Sequence, residues 1–137
     1  MREKKTSRSQ QPIPEETDQV ARQVVDAAFC VHSALGPSLI ESVYETCLVH
    51  ELAGRGIEVK RQVAVPVIYE GVRLNAGLRL DLVVGDRVVV VVKATETVLP
   101  VHIAQVLTYL KLSGYRLGLL VNFNVPVIKD GIRRIVL

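Results

Sequence analysis

The stretch Leu78–Lys93, LRLDLVVGDRVVVVVK, decides the fold. Five consecutive valines, Val88 to Val92, offer apolar side chains to both faces of a sheet, which a strand tolerates only when both faces are covered. This strand is therefore expected at the centre of its sheet. Gly85 and Asp86 turn the chain into it from a preceding strand that carries Asp81. Lys93 closes the valine run, and lysine is almost never fully buried without a partner; Asp81 is the nearest candidate. A two-residue turn at Gly85 and Asp86 would pair Asp81 with Val90 and put it on the face opposite Lys93. If the two residues work together, the hairpin needs a three-residue loop or a bulge, which brings Asp81 level with Val89 or Val91.

Upstream, the strand period reaches back to Ile57. Arg61–Tyr69 reads as a strand whose Pro66 implies an edge or a bulge, and Glu70 with Gly71 turns it into Val72–Val84, giving a three-stranded antiparallel meander. Before it lie two helices. The first opens at Pro14, Glu15 and Glu16, carries Val20, Val24, Ala27, Val31 and Leu35 at helical spacing, and stops at Gly36 and Pro37. The second runs from about Leu39 to Ala53, with Ser38 and Glu41 forming a capping box and Ile40, Val43, Tyr44, Cys47, Leu48 and Leu52 as its apolar stripe. Downstream, Pro100 starts a helix over Val101–Leu112 with Ile103, Val106, Leu107 and Leu110 facing inward. Tyr115–Asn122 then makes a strand able to run parallel to the valine strand through a crossover, and Ile132–Leu137 makes a last one. The pattern predicts an α/β fold, a mixed sheet with helices on both faces.

Composition bounds the function. The chain has 137 residues, 49% hydrophobic and 23% charged, and residues 13–137 are expected to form one domain with a real core. Met1–Pro12 is polar and charged and reads as a disordered tail. That tail supplies the formal charge of +3, so the body is balanced and charge alone is weak testimony for a nucleic-acid partner. No apolar run reaches the ~18 residues of a membrane helix, and no signal-peptide core is present, which points to the cytoplasm. Cys30 and Cys47 fall in helices without metal-ligand spacing and read as ordinary thiols. His32, His50 and His102 show no common spacing either and read as structural.

Asp81 and Lys93 on successive strands, after two helices and before a helix carrying Gln105 and Tyr109, resemble the PD-(D/E)xK phosphodiesterase superfamily and its RecB-like branch with a Q-x-x-x-Y element. LGPSLIESVY at Leu35–Tyr44, together with LPVHIAQVLTYLKLSG and NFNVP, is similar to the small bacterial family named for its GxxExxY motif. The resemblance implies a restriction-endonuclease-like core, an antiparallel meander plus a crossover strand flanked by helices, and hydrolysis of nucleic acid assisted by Mg²⁺ or Mn²⁺. It implies Asp81 as central metal ligand, Glu41 and the Val92 main-chain carbonyl as further ligands, Lys93 as the cation that steadies the attacking hydroxide, and Gln105 and Tyr109 as orienting groups.

Two positions depart from that pattern. Ser38 stands where the motif has glycine, and the capping reading makes that exchange mild. Val91 stands where acid-x-lysine has its acid, and a valine side chain has no lone pair to offer a metal. Glu96 is a candidate replacement. The expectation is a metal-dependent nuclease impaired at this position; the alternative is a nuclease-derived module that holds nucleic acid or a protein without cleaving it, and a homo-oligomeric scaffold is a third reading.

Overall fold

The computed structural model describes residues 11–137; the tail expected over Met1–Pro12 lies, for its first ten residues, outside them. Gln11 and Pro12 are held, their carbonyls accepting from Arg116 at 2.8 and 3.4 Å. The elements are α1 (Glu15–Leu35), α2 (Glu41–Gly54), β1 (Val59–Ala64), β2 (Val67–Tyr69), β3 (Val72–Leu74), β4 (Arg79–Val84), β5 (Val88–Lys93), α3 (Pro100–Ser113), β6 (Leu117–Asn122), a 3-10 turn at Ile128–Gly131 and β7 (Ile132–Val136). Five strands form one mixed sheet in the order β1-β4-β5-β6-β7. The valine strand is its centre, antiparallel to β4 and parallel to β6.

Two apolar layers explain that position. Val88, Val90 and Val92 pack with Leu82, Val84, Leu117, Leu119 and Val121 beneath α1 and α2. Val89 and Val91 pack on the other side with Val106 and Leu110 of α3. Every valine of the run is at most 2% exposed, so neither face could carry a polar residue without a buried partner.

Several expectations change. The span Arg61–Tyr69, expected as one strand, breaks at Val65 and Pro66 into the end of β1 and β2. The span Val72–Val84 is two strands, because the chain breaks at Asn75–Leu78, where Gly77 adopts a left-handed φ of 81°. Among the described residues β2 and β3 pair only with each other, as a separate ribbon inserted between β1 and β4. The capping box at Ser38 does not form: α2 starts two residues later than a Ser38 cap requires, with Ile40 at its N-cap and no side-chain cap. Ser38 instead sits at φ 81° in the connecting loop, where its N–H donates to Asn124 Oδ1 at 3.1 Å.

What fixes that loop is Tyr44. Its hydroxyl donates to the Gly36 carbonyl at 2.6 Å and accepts from the Leu39 N–H at 3.1 Å, while its ring, fully buried, stacks on Phe123 with centroids 4.5 Å apart. The tyrosine thus holds the start of α2 against the end of β6. Ile40 and Val43, expected inside, are 68% and 36% exposed.

Candidate functional site

Three residues, Gly85, Asp86 and Arg87, join β4 to β5, and the pairs Val84–Val88, Val83–Val89 and Leu82–Val90 fix the register. Continued by one step, that register sets Asp81 level with Val91. The three-residue loop that the pairing of Asp81 with Lys93 required is present.

A second irregularity aims the carboxylate. Side chains alternate across a strand, yet Leu82 and Val84 pack under α1 and α2 while Leu80, two residues back, packs on the α3 side. β1 does the same: Val59 lies on the first side, Val63 and Val65 on the second. Both strands change face at one step, between the Arg61–Leu82 and Val63–Leu80 pairs, where Gln62 has φ 52°. Asp81 is the residue opposite Gln62 at this step. Its Oδ2 accepts the Val92 N–H at 3.1 Å, beyond the last β4–β5 pair, so a side chain takes the place of a ladder rung.

The other candidates converge on Asp81 by charge more than by contact. Burial raises its pKa, the Val92 N–H lowers it, Glu45 raises it, Lys93 lowers it, and Glu41 raises it. Burial raises Tyr109 too, Asp81 adds to the rise, and a hydrogen bond from Gln105 opposes it. Glu41 and Glu45 come from α2 and Tyr109 from α3, so helices of both layers reach this end of the sheet. Gln105 leaves its Oε1 buried without a partner among the described residues. The expected Asp81–Lys93 ion pair is not within contact distance: among the described residues, neither takes part in a salt bridge, and Lys93 acts on Asp81 through space.

Glu45 was not anticipated. Its side chain is 13% exposed and paired with Arg61 at 3.2 Å, and it acts on Asp81 more strongly than Glu41 does. Its place one helical turn after Glu41 was the available signal, since residues i and i+4 share a face. Glu96 is exposed in the β5–α3 connection and is not among the charges acting on Asp81. The histidines have structural partners where they have any: His32 Nε2 lies 2.7 Å from the Val125 carbonyl, and His102 Nδ1 accepts the Leu99 N–H at 3.0 Å to cap α3.

A hard divalent cation needs several oxygen ligands gathered on one point. Among the described residues no group of three His, Cys, Asp or Glu side chains is so placed. Asp81 spends one oxygen on the Val92 amide, Glu45 is tied to Arg61, Glu41 is exposed, and Val91 is a buried hydrocarbon. The donor set does not fit a preformed divalent-metal site.

A family model described as the PD-(D/E)XK nuclease superfamily matches residues 18–135. No curated protein and no solved structure matches the chain. Among the described residues no helix is long and apolar enough to cross a membrane.

Proposed function

Because the chain belongs to the PD-(D/E)XK nuclease superfamily, we propose that it is a nuclease-like protein of the GxxExxY branch whose metal-dependent hydrolysis of nucleic acid is impaired by the valine at position 91. One observation carries this reading. Val91 is 2% exposed and packs into the apolar layer under α3; the β4–β5 register, carried one step past its last pair Leu82–Val90, points it at Asp81, and the family resemblance puts the acid of acid-x-lysine at this position. On this reading Asp81 and Lys93 face the phosphate, Gln105 and Tyr109 orient it, and Glu41 and the Val92 main-chain carbonyl are the supporting oxygens. None of them substitutes for a carboxylate at 91, because a cation held by too few oxygens neutralises little phosphate charge and activates little water. The alternative, a module that binds without cleaving, is the limit of the same reading in which residual hydrolysis is nil.

The test is Val91→Glu, measured by calorimetric titration with Mg²⁺ and Mn²⁺ and by cleavage of labelled single- and double-stranded oligonucleotides. Metal affinity and hydrolysis should both rise above wild type. Val91→Gln, similar in size but uncharged, should restore little. Efficient cleavage by the natural chain, abolished by Asp81→Asn and not improved by Val91→Glu, would sink the reading.

A further inference from the structure

The ribbon of β2 and β3 is built to stand away from the core. Val67 pairs with Leu74, Ile68 with Arg73 and Tyr69 with Val72, and Glu70 and Gly71 at the tip both take positive φ, 52° and 77°, the twist-matched geometry of a two-residue hairpin turn. Its neck is closed by the Val65 N–H donating to the Leu78 carbonyl at 2.9 Å. Beyond the neck nothing among the described residues covers it: Ile68, Tyr69, Val72 and Leu74 are 59%, 63%, 54% and 43% exposed. An isolated two-stranded ribbon is marginal in water, and this one shows apolar side chains on both faces.

Its charge and position indicate the partner. From Lys60 to Arg79 the chain carries Lys60, Arg61, Arg73 and Arg79 against Glu70 alone, all of them exposed. Arg61 is paired with Glu45, whereas Arg73 and Arg79 have no ion pair among the described residues. The ribbon also emerges beside the candidate site, since its root is the Ala64–Arg79 pair, two residues from Asp81. A two-stranded ribbon fits the major groove of B-form DNA, and arginines there meet phosphates and base edges. The deep, narrow major groove of an RNA duplex does not admit it.

We propose that the β2–β3 ribbon is a DNA-binding arm, which enters the groove of a DNA duplex tip first, so that Arg73 on one face and Tyr69 on the other meet its two walls, while Arg79 at its root holds the backbone next to Asp81. The proposal rests on the nucleic-acid reading above, and its test is separable from hydrolysis because binding is measured in EDTA.

The experiment is fluorescence anisotropy of the full chain on a labelled mixed-sequence DNA duplex two helical turns long, ~20 base pairs, across a salt series. The double variant Arg73→Ala with Arg79→Ala should weaken binding by at least about tenfold and lower the salt slope by about two. Tyr69→Ala should weaken it as well, and an RNA duplex of the same sequence should bind less tightly and respond less to these changes. Arg133→Ala, on the opposite edge strand, should leave the slope unchanged. The arm is excluded if the natural chain does not bind the duplex, if the arm variants bind as the natural chain does, or if Arg133→Ala costs as much. Loss of a dimer in Tyr69→Ala or Leu74→Ser by sedimentation, with DNA affinity intact, would also overturn the proposal and assign the ribbon to contact between copies.

Discussion

Ser38 and Asp81 each accept a local cost, and each cost has a measurable sign. Ser38 holds φ 81°, a left-handed conformation that costs a residue with a Cβ roughly 1 kcal/mol and glycine almost nothing. Ser38→Gly keeps the N–H that meets Asn124 and should stabilise the fold by about that amount, 1 kcal/mol, in urea unfolding. A capping serine would instead lose stability on the same exchange. For Asp81, burial and the glutamates outweigh the Val92 N–H and Lys93 and raise the pKa above its ordinary 3.8. The folded chain then binds this proton more tightly than the unfolded chain. The carboxyl accordingly destabilises the fold as pH climbs from the unfolded value through the raised one. Asp81→Asn retains an oxygen for the Val92 amide. It should be more stable than wild type at neutral pH, with the difference shrinking as pH falls to 3.8 and below; a difference that ignores pH would refute the assignment. At this scale Asp81, Lys93 and Val91 were legible because their types clash with their places. Glu45 was marked only by its place one turn after Glu41, a weak signal because a glutamate on a helix usually faces water.

Between elements, the contact that sets α3 on the sheet is the absence of a side chain. A Cβ on Gly118 of β6 would lie 2.7 Å from Val106 Cγ1 and 3.6 Å from both Leu110 methyls. Val106 is β-branched and stiff in a helix, so it has little room to yield. Gly118→Ala should cost roughly 1–3 kcal/mol by overpacking, and adding Val106→Ala should recover part of that loss; thermal unfolding of the two variants checks the pair. The same displacement moves Gln105 and Tyr109 relative to Asp81. The sequence announced the helices and most strands through period and punctuation, and the β4–β5 register followed from a chemical demand on Asp81 and Lys93. It did not announce the change of face in β1 and β4. Leu78, Leu80 and Leu82 alternate evenly, and leucine suits either covered side, so a switch from one apolar layer to the other leaves no mark in the pattern.

The described residues form a doubly covered sheet with an uncovered appendage. Cooperative stability concentrates where both faces are sealed, at β5 and β6, and is least where a two-stranded ribbon has no layer above it. Hydrogen exchange followed by mass spectrometry should find the slowest amides in Val88–Val92 and Leu119–Val121 and rapid exchange through Val67–Leu74. Protection of the ribbon equal to that of β5 would contradict this ordering. The two-layer plan was visible from the valine run, because five apolar residues in a row have no other soluble solution. The ribbon was hidden in the facing ends of two spans that each read as one strand, Arg61–Tyr69 and Val72–Val84, since Pro66 reads as an edge or a bulge and Asn75, Ala76 and Gly77 interrupt too briefly to look like a boundary.

Asp81 has two employments, and they need not end together. Its carboxylate would serve chemistry on phosphate, and it already closes the sheet where β4 and β5 part, by taking the Val92 amide. In a lineage that stops needing hydrolysis, selection on the lysine relaxes, while selection for a side-chain acceptor at 81, aspartate or asparagine, continues on behalf of the fold. Decay should therefore be ordered. Among descendants that lack the acid at the position of Val91, replacements should accumulate at the position of Lys93 before any at that of Asp81 other than asparagine, and an acceptor found alone there records the needs of the sheet more than activity. A set of such sequences in which the acceptor at 81 is lost first would contradict that order.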